Sequence, residues 1–159
     1  MTVTVTFLEN LPDIAEISEL HDYWKTICGD NAVPDRKDFS PVSVKKHLPN
    51  LAILEVDIAA EAFEVRLFGT ALMELFGEDR TGRTQDNLTD KYAEAGVEQN
   101  AIHSWQTVLT KTLQDEAPVF FETPRLRAGY RHQVLKGICL PLTNGSPKIT
   151  QVIALMYAR

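Results

Sequence analysis

The stretch Ala62-Phe63-Glu64-Val65-Arg66-Leu67-Phe68-Gly69-Thr70-Ala71-Leu72 decides the fold class. Phe63, Val65 and Leu67 alternate with Glu64 and Arg66, the two-residue period of a strand with one apolar face and one wet face. Gly69 ends that strand. Thr70 then stands where a cap would open a short helix carrying Leu72, Leu75 and Phe76. Upstream, Leu51 to Val56 is an apolar run bounded by turn residues, which predicts a well-buried strand. Asp57 to Glu61 is short enough to join the two strands as a hairpin.

Helical spacing appears on both sides of this pair. Ile14, Ile17, Leu20, Trp24 and Ile27 recur at three- and four-residue steps from about Pro12 to Cys28, with Gly29 as a stop. Ser40-Pro41 reads as an N-cap with proline at the first helical position, predicting a short helix to about Lys46 that Pro49 closes. Downstream of the turn-rich Gly77 to Gly82, residues 83 to 96 are polar and lack a period. From Glu98 to about Leu113, Ala101, Ile102, Trp105, Val108 and Leu109 share one helix face. Three strand-like runs come next: Val119 to Leu126, Arg131 to Leu142 and Ile149 to Tyr157. The Gly129 and Asn144-Gly145 linkers favour tight antiparallel hairpins.

The order predicts an α+β fold: a five-stranded antiparallel sheet with helices on one face and an N-terminal helical extension. Residues 1–50 form the extension and 51–159 the main domain, in one compact unit. A chain of 159 residues with 44% hydrophobic and 24% charged residues has the composition of one globular domain. The apolar runs are too short to span a membrane. The N-terminus lacks the basic start and apolar core of a secretory signal. Cys28 and Cys139, far apart in sequence, fit reduced buried thiols, so a cytoplasmic location is expected. A net charge of −6 argues against nucleic acid as a partner.

The run Phe63 to Leu72, then Leu75-Phe76-Gly77, then Thr81-Gly82-Arg83, resembles the first half of a PAS domain. More closely it is similar to a single-domain bacterial PAS-like family, largely alphaproteobacterial. The leader segments Leu20-His21-Asp22-Tyr23-Trp24 and Arg36-Lys37-Asp38-Phe39-Ser40-Pro41 match that family as well, so the resemblance covers about residues 18 to 157. It implies a small-molecule sensor or protein-interaction module in signal transduction, not an enzyme. A PAS flavin photosensor would need a cysteine in an Asn-Cys-Arg type motif after the second strand, and residues 70 to 90 contain none. Haem would need an axial histidine near the long helix, where His103 stands; a single histidine beside an apolar face is more ordinarily structural. Neither cofactor is expected.

The residues themselves offer no catalytic constellation. His21, His47, His103 and His132 form no HExxH or paired-ligand spacing, the cysteines form no CxxC, and no metal site is expected. A PAS-like pocket would lie between the inner sheet face and the short helices. Its candidate lining is Leu54, Val65, Leu67, Leu72, Phe76, Ile102, Trp105, Phe121 and Ile138, all of which also read as ordinary core. Arg66 is a candidate polar contact for an acidic ligand, or else a surface ion pair.

Two candidate interfaces remain. The face formed by Ile17, Leu20, Tyr23, Trp24 and Ile27 either makes a homodimer, as leading helices in PAS proteins often do, or covers the chain's own sheet. The charge is also divided along the chain. Residues 1–116 hold 10 Lys+Arg against 21 Asp+Glu, whereas 117–159 hold six against one. Arg125, Arg127 and Arg131 flank the Gly129 turn and form a candidate basic patch for an acidic signalling partner, or pair with the chain's own acids.

Overall fold

In a computed structural model of the chain, residues 5–57, 62–84, 100–124 and 133–158 are described, the side chains of 100–104 excepted. The strands are β1 (Thr6–Leu8), β2 (Leu51–Asp57), β3 (Ala62–Phe68), β4 (Val119–Pro124), β5 (Val134–Thr143) and β6 (Ile149–Ala158). The α-helices are α1 (Ala15–Cys28), α2 (Thr70–Phe76) and α3 (Asn100–Asp115). One antiparallel sheet runs in the order β1-β4-β5-β6-β2-β3. The α+β class stands, with a sixth strand added. β1 pairs with β4, placing Phe7 opposite Phe121, and the Lys111 ammonium of α3 lies 5.3 Å from the Phe7 ring centre. The N-terminal extension therefore contributes to the sheet itself.

Both faces of the sheet are apolar because its central strands are buried on both sides, as in a three-layer arrangement. On the inner face Leu54, Val65, Val119, Phe121, Val152 and Ala154 pack beneath Leu72 of α2 and Val108 and Leu109 of α3. On the outer face Leu51, Ile138, Leu140, Leu142, Ile153 and Leu155 meet Ile14, Ile17, Leu20 and Trp24 around α1. Ile17 and Leu20 are fully buried and Trp24 nearly so within the single chain. The Trp24 indole donates to the carbonyl of Pro141 at 2.9 Å, fixing α1 across β5. These three residues are core, so of the two readings of this face they follow the one in which it covers the chain's own sheet. An apolar stripe of this width must be covered, and the outer sheet covers it. Tyr23 and Ile27 are half-buried beside it; the Tyr23 hydroxyl accepts from the Ser40 amide at 2.9 Å.

The expected helix after Pro41 is instead a series of turns leading into a 3-10 helix, Lys45–Asn50, with Pro49 inside it. Amides of Ser43, Val44, Lys45 and His47 each donate to the carbonyl three residues back. With three residues per turn, Val44 and His47 fall on the same face, and both are buried. This segment ends against Gly69, which is the cap of α2 in place of Thr70. A Cβ at Gly69 would lie 2.2 Å from the Leu48 carbonyl oxygen and 2.3 Å from that of Pro49. Only a residue with no side chain allows β3 to turn into α2 at that distance.

Gly69→Ala should therefore lose about 3 kcal/mol or more of stability, because backbone rather than a movable side chain must yield. Urea denaturation measures it, and an unchanged midpoint would contradict the contact. Stability should also depend on pH. Burial pulls the pKa of both His21 and His47 below the usual 6.5, against the opposing pull of Asp22 on the first and Glu19 on the second. His47 Nδ1 finds no hydrogen-bond partner among the described residues, so a proton placed there gains nothing in return. The unfolded chain then binds more protons below pH about 6.5, and stability falls as pH drops through that value. Glu19, Asp35 and Asp79 are shifted down from 4.5, 3.8 and 3.8, so their loss comes only at lower pH. Urea midpoints at pH 7.5 and 5.5 should differ in the wild type and converge in His21→Asn/His47→Gln.

Candidate functional site

On the inner face the sheet and helices leave a cavity of about 10 Å³, lined by Ala52, Leu54, Phe63, Val65, Phe68, Arg80 and Trp105. Of the residues read as candidate pocket lining, Leu54, Val65 and Trp105 border this cavity. Leu72, Phe76 and Phe121 belong to the same apolar layer without lining the space. Ile102 lies on α3, but its side chain is outside the described residues.

Leu67 and Ile138 do not reach the cavity. The register of β2 and β3 slips between Ile53 and Leu54: Ile53 faces Leu67 while Leu54 faces Val65, leaving Arg66 as an extra residue. Such a bulge reverses the alternation beyond it. Phe63 and Val65 point inward before the bulge and Phe68 after it, while Leu67 packs with the outer layer. Ile138 is buried on the α1 side because its neighbour Cys139 takes the inner face. Arg66 itself is exposed, with Nε 3.6 Å from Glu55 Oε1, the same oxygen that accepts from Gln151 Nε2 at 2.7 Å. It is a surface ion pair, remote from the cavity's lining.

The cavity's cation is Arg80, which the sequence places inconspicuously in a turn. Its side chain is 6% exposed, its Nε donates to Glu78 Oε1 at 3.1 Å, and its guanidinium carbon lies 4.5 Å from the centre of the Phe76 ring. Phe76 continues the contact to Trp105, their ring centres 6.1 Å apart, and to Phe68 at 5.8 Å. Burial draws the Arg80 pKa down to about 10, with the Glu78 carboxylate pulling the other way. At neutral pH it is still a cation, held by ring and carboxylate.

Local backbone chemistry puts it there. Gly77 closes α2 at φ +79°, a left-handed turn suited to glycine. The Asp79 carboxylate accepts from the Thr81 amide at 2.9 Å and from its hydroxyl at 2.7 Å, an Asx turn. Gly82, at φ +80°, then donates to the Val65 carbonyl at 2.7 Å, and the Val65 amide donates to the Arg83 carbonyl at 2.8 Å. A further bridge joins Glu64 to Thr84. The Thr81-Gly82-Arg83 segment is thereby bonded along the outer edge of β3, with Arg80 carried inward beneath it.

Both of the chain's thiols are buried. Cys139 is fully buried against α3, and burial pushes its pKa up to about 12 despite a hydrogen bond with Thr112. Burial raises that of Cys28 too. No group of three or more metal-ligating side chains forms among the described residues. Nor, among them, is any helix long and apolar enough to cross a membrane. His103 lies on α3 with its side chain outside the described residues, as are Arg125, Arg127 and Arg131 altogether.

A model of a family described as PAS domain matches residues 13–156, which takes in α1 and the sheet from β2 onward. No curated protein and no solved structure matches the chain.

The Arg80–Glu78 pair should respond unequally to the loss of either member. Glu78→Gln takes the carboxylate away from a buried cation and should cost about 3 kcal/mol. Arg80→Met leaves an apolar side chain of similar length and removes the buried cation itself; the cost should be smaller, about 1 kcal/mol. Thermal or urea unfolding of the two variants checks the order.

Proposed function

This chain belongs to the PAS domain family, and we propose that it is a sensory or regulatory module of signal transduction that works by binding rather than by catalysis. The observation that carries this reading is the cavity. Its walls are apolar, and among the described residues its lining, in which Arg80 carries the charge, holds neither a nucleophile nor an acid–base pair. Such a site can recognise a small apolar group by fit, and the described lining offers no group to transform it. The deactivated thiols support the same reading.

The cavity also lies where occupancy can be felt elsewhere. Trp105 stands on α3, Val65 on β3, and Arg80 on the segment bonded to β3's edge. A molecule seated there presses on all three at once, and close-packed interiors transmit such pressure. Output passes to a signalling partner or a second copy of the chain. It uses surfaces other than Ile17, Leu20 and Trp24, which the sheet already covers.

A thermal-shift screen of small organic molecules tests the proposal. At least one chemical class should raise the melting temperature, change the emission of Trp105 and be recovered chemically unchanged. Filling the cavity with Ala52→Leu should weaken that response. Conversion of the bound molecule to product would contradict the binding reading, as would a screen in which nothing shifts the protein.

A further inference from the structure

Asn144-Gly145 lies in the turn between β5 and β6, away from the lining of the cavity and independent of the binding reading. Asparagine followed by glycine is open to a reaction of the chain with itself. The glycine amide nitrogen attacks the asparagine side chain, and glycine has no Cβ to obstruct the approach. Asn144 is exposed. Gly145 is in the left-handed region at φ +71°, and no atom lies within 4 Å of where its Cβ would stand, so that flank of the amide is open.

The Gly145 amide is nevertheless engaged. It donates to Asp35 Oδ2 at 2.6 Å, while Oδ1 of the same carboxylate accepts from the Lys37 amide at 2.9 Å. The amides of Lys37 and Gly145 hold the Asp35 carboxyl below the usual carboxylate range, so it is an anion at neutral pH. Next to it the Thr143 amide donates to the Pro34 carbonyl at 3.0 Å, and Asp35 and Thr143 form a parallel bridge. Asp35 therefore ties the segment after α1 to the β5–β6 turn. Attack on Asn144 requires the Gly145 nitrogen to lose its proton. A carboxylate is too weak a base to take that proton, and its charge opposes the amide anion. The amide must leave Asp35 before it reacts.

We propose that Asn144 is a site of slow self-modification whose rate Asp35 sets by holding the amide that would attack. Once the hold is broken, the Gly145 nitrogen loses its proton and bonds to Asn144 Cγ. The Cγ–Nδ2 bond breaks, and the departing nitrogen takes up the proton and leaves as ammonia. Water then opens the succinimide at either carbonyl, giving aspartate or isoaspartate; nothing is oxidised or reduced. Either product puts a second carboxylate one residue from the amide that Asp35 holds, and like charges weaken that tie. Isoaspartate also reroutes the backbone through the side chain and lengthens the turn.

The full chain, incubated in mildly alkaline buffer and mapped by peptide mass spectrometry, reports ammonia loss and isoaspartate at position 144. Folded wild type should convert slowly. Asp35→Asn keeps the shape but loses the charged acceptor, and should convert about fivefold or more faster. In concentrated urea, where residue 35 no longer meets residue 145, the two chains should convert at one rate, above that of folded wild type. Gly69→Ala, weakened elsewhere, should convert like the wild type in buffer. Asn144→Asp, one of the products, should melt below the wild type at low salt and by less at high salt. Equal rates in folded wild type and Asp35→Asn would overturn the proposal, as would Gly69→Ala accelerating conversion as much as Asp35→Asn does. Absence of isoaspartate in every chain, urea included, would remove the site itself, and an unchanged melting temperature in Asn144→Asp would contradict the weakened tie.

Discussion

Val65 is held by both of its backbone groups to residues 82 and 83, and the placement of Arg80 in the inner layer depends on that pair of hydrogen bonds. β3 is the last strand of the sheet, so its outer amides and carbonyls would otherwise face water and invite pairing with another chain. The bulge at Arg66 twists the strand at this point, and the returning segment after α2 is bonded beside it. Because residues 82 and 83 are anchored, Arg80 two residues earlier has little choice of position. It enters the core over Phe76, and Phe76 in turn meets Trp105. A backbone constraint at one sheet edge thus positions a buried charge beside the cavity.

The sheet separates that site from the N-terminal helix. α1 and the 3-10 segment cover the outer face, with Trp24 bonded through to Pro141, while α2 and α3 cover the inner one. The two layers touch the same strands from opposite sides: in β6, Val152 and Ala154 face inward and Ile153 and Leu155 outward. A change in the cavity reaches α1 only through the sheet, whose strands are buried on both faces and packed without slack. That arrangement suits a module that reports occupancy by shape.

Much of this architecture is legible in the residues. The three-and-four spacing of Ile17, Leu20 and Trp24 marks α1, the spacing of Trp105, Val108 and Leu109 marks α3, and turn residues bound the strands. Other features depend on physics that leaves little trace in local pattern. A bulge adds one residue without any required residue type, so Phe63, Val65 and Leu67 look like one face although Leu67 lies on the other. A strand buried on both sides has no alternation to assign, and Ile138 could be placed on either face. β1 is three residues long and is a strand only because β4 lies beside it. Arg80 follows two acids in a glycine-bounded turn, the setting of a solvated side chain. Only the pairing of residues 82 and 83 with Val65, distant in sequence, buries it. Arg66, which alternation made more conspicuous, is the cation that stays on the surface.

The chain has one tryptophan in each layer, and this permits a direct test. In a ¹⁵N-labelled sample titrated with a small molecule that raises the melting temperature, the side-chain Nε–H signal of Arg80 and the indole signal of Trp105, both of which line the cavity, should move together. The indole of Trp24, across the sheet, should stay nearly still. Movement of Trp24 equal to that of Trp105, or Arg80 and Trp105 signals that do not move at all, would contradict an inner-face site organised around a buried arginine.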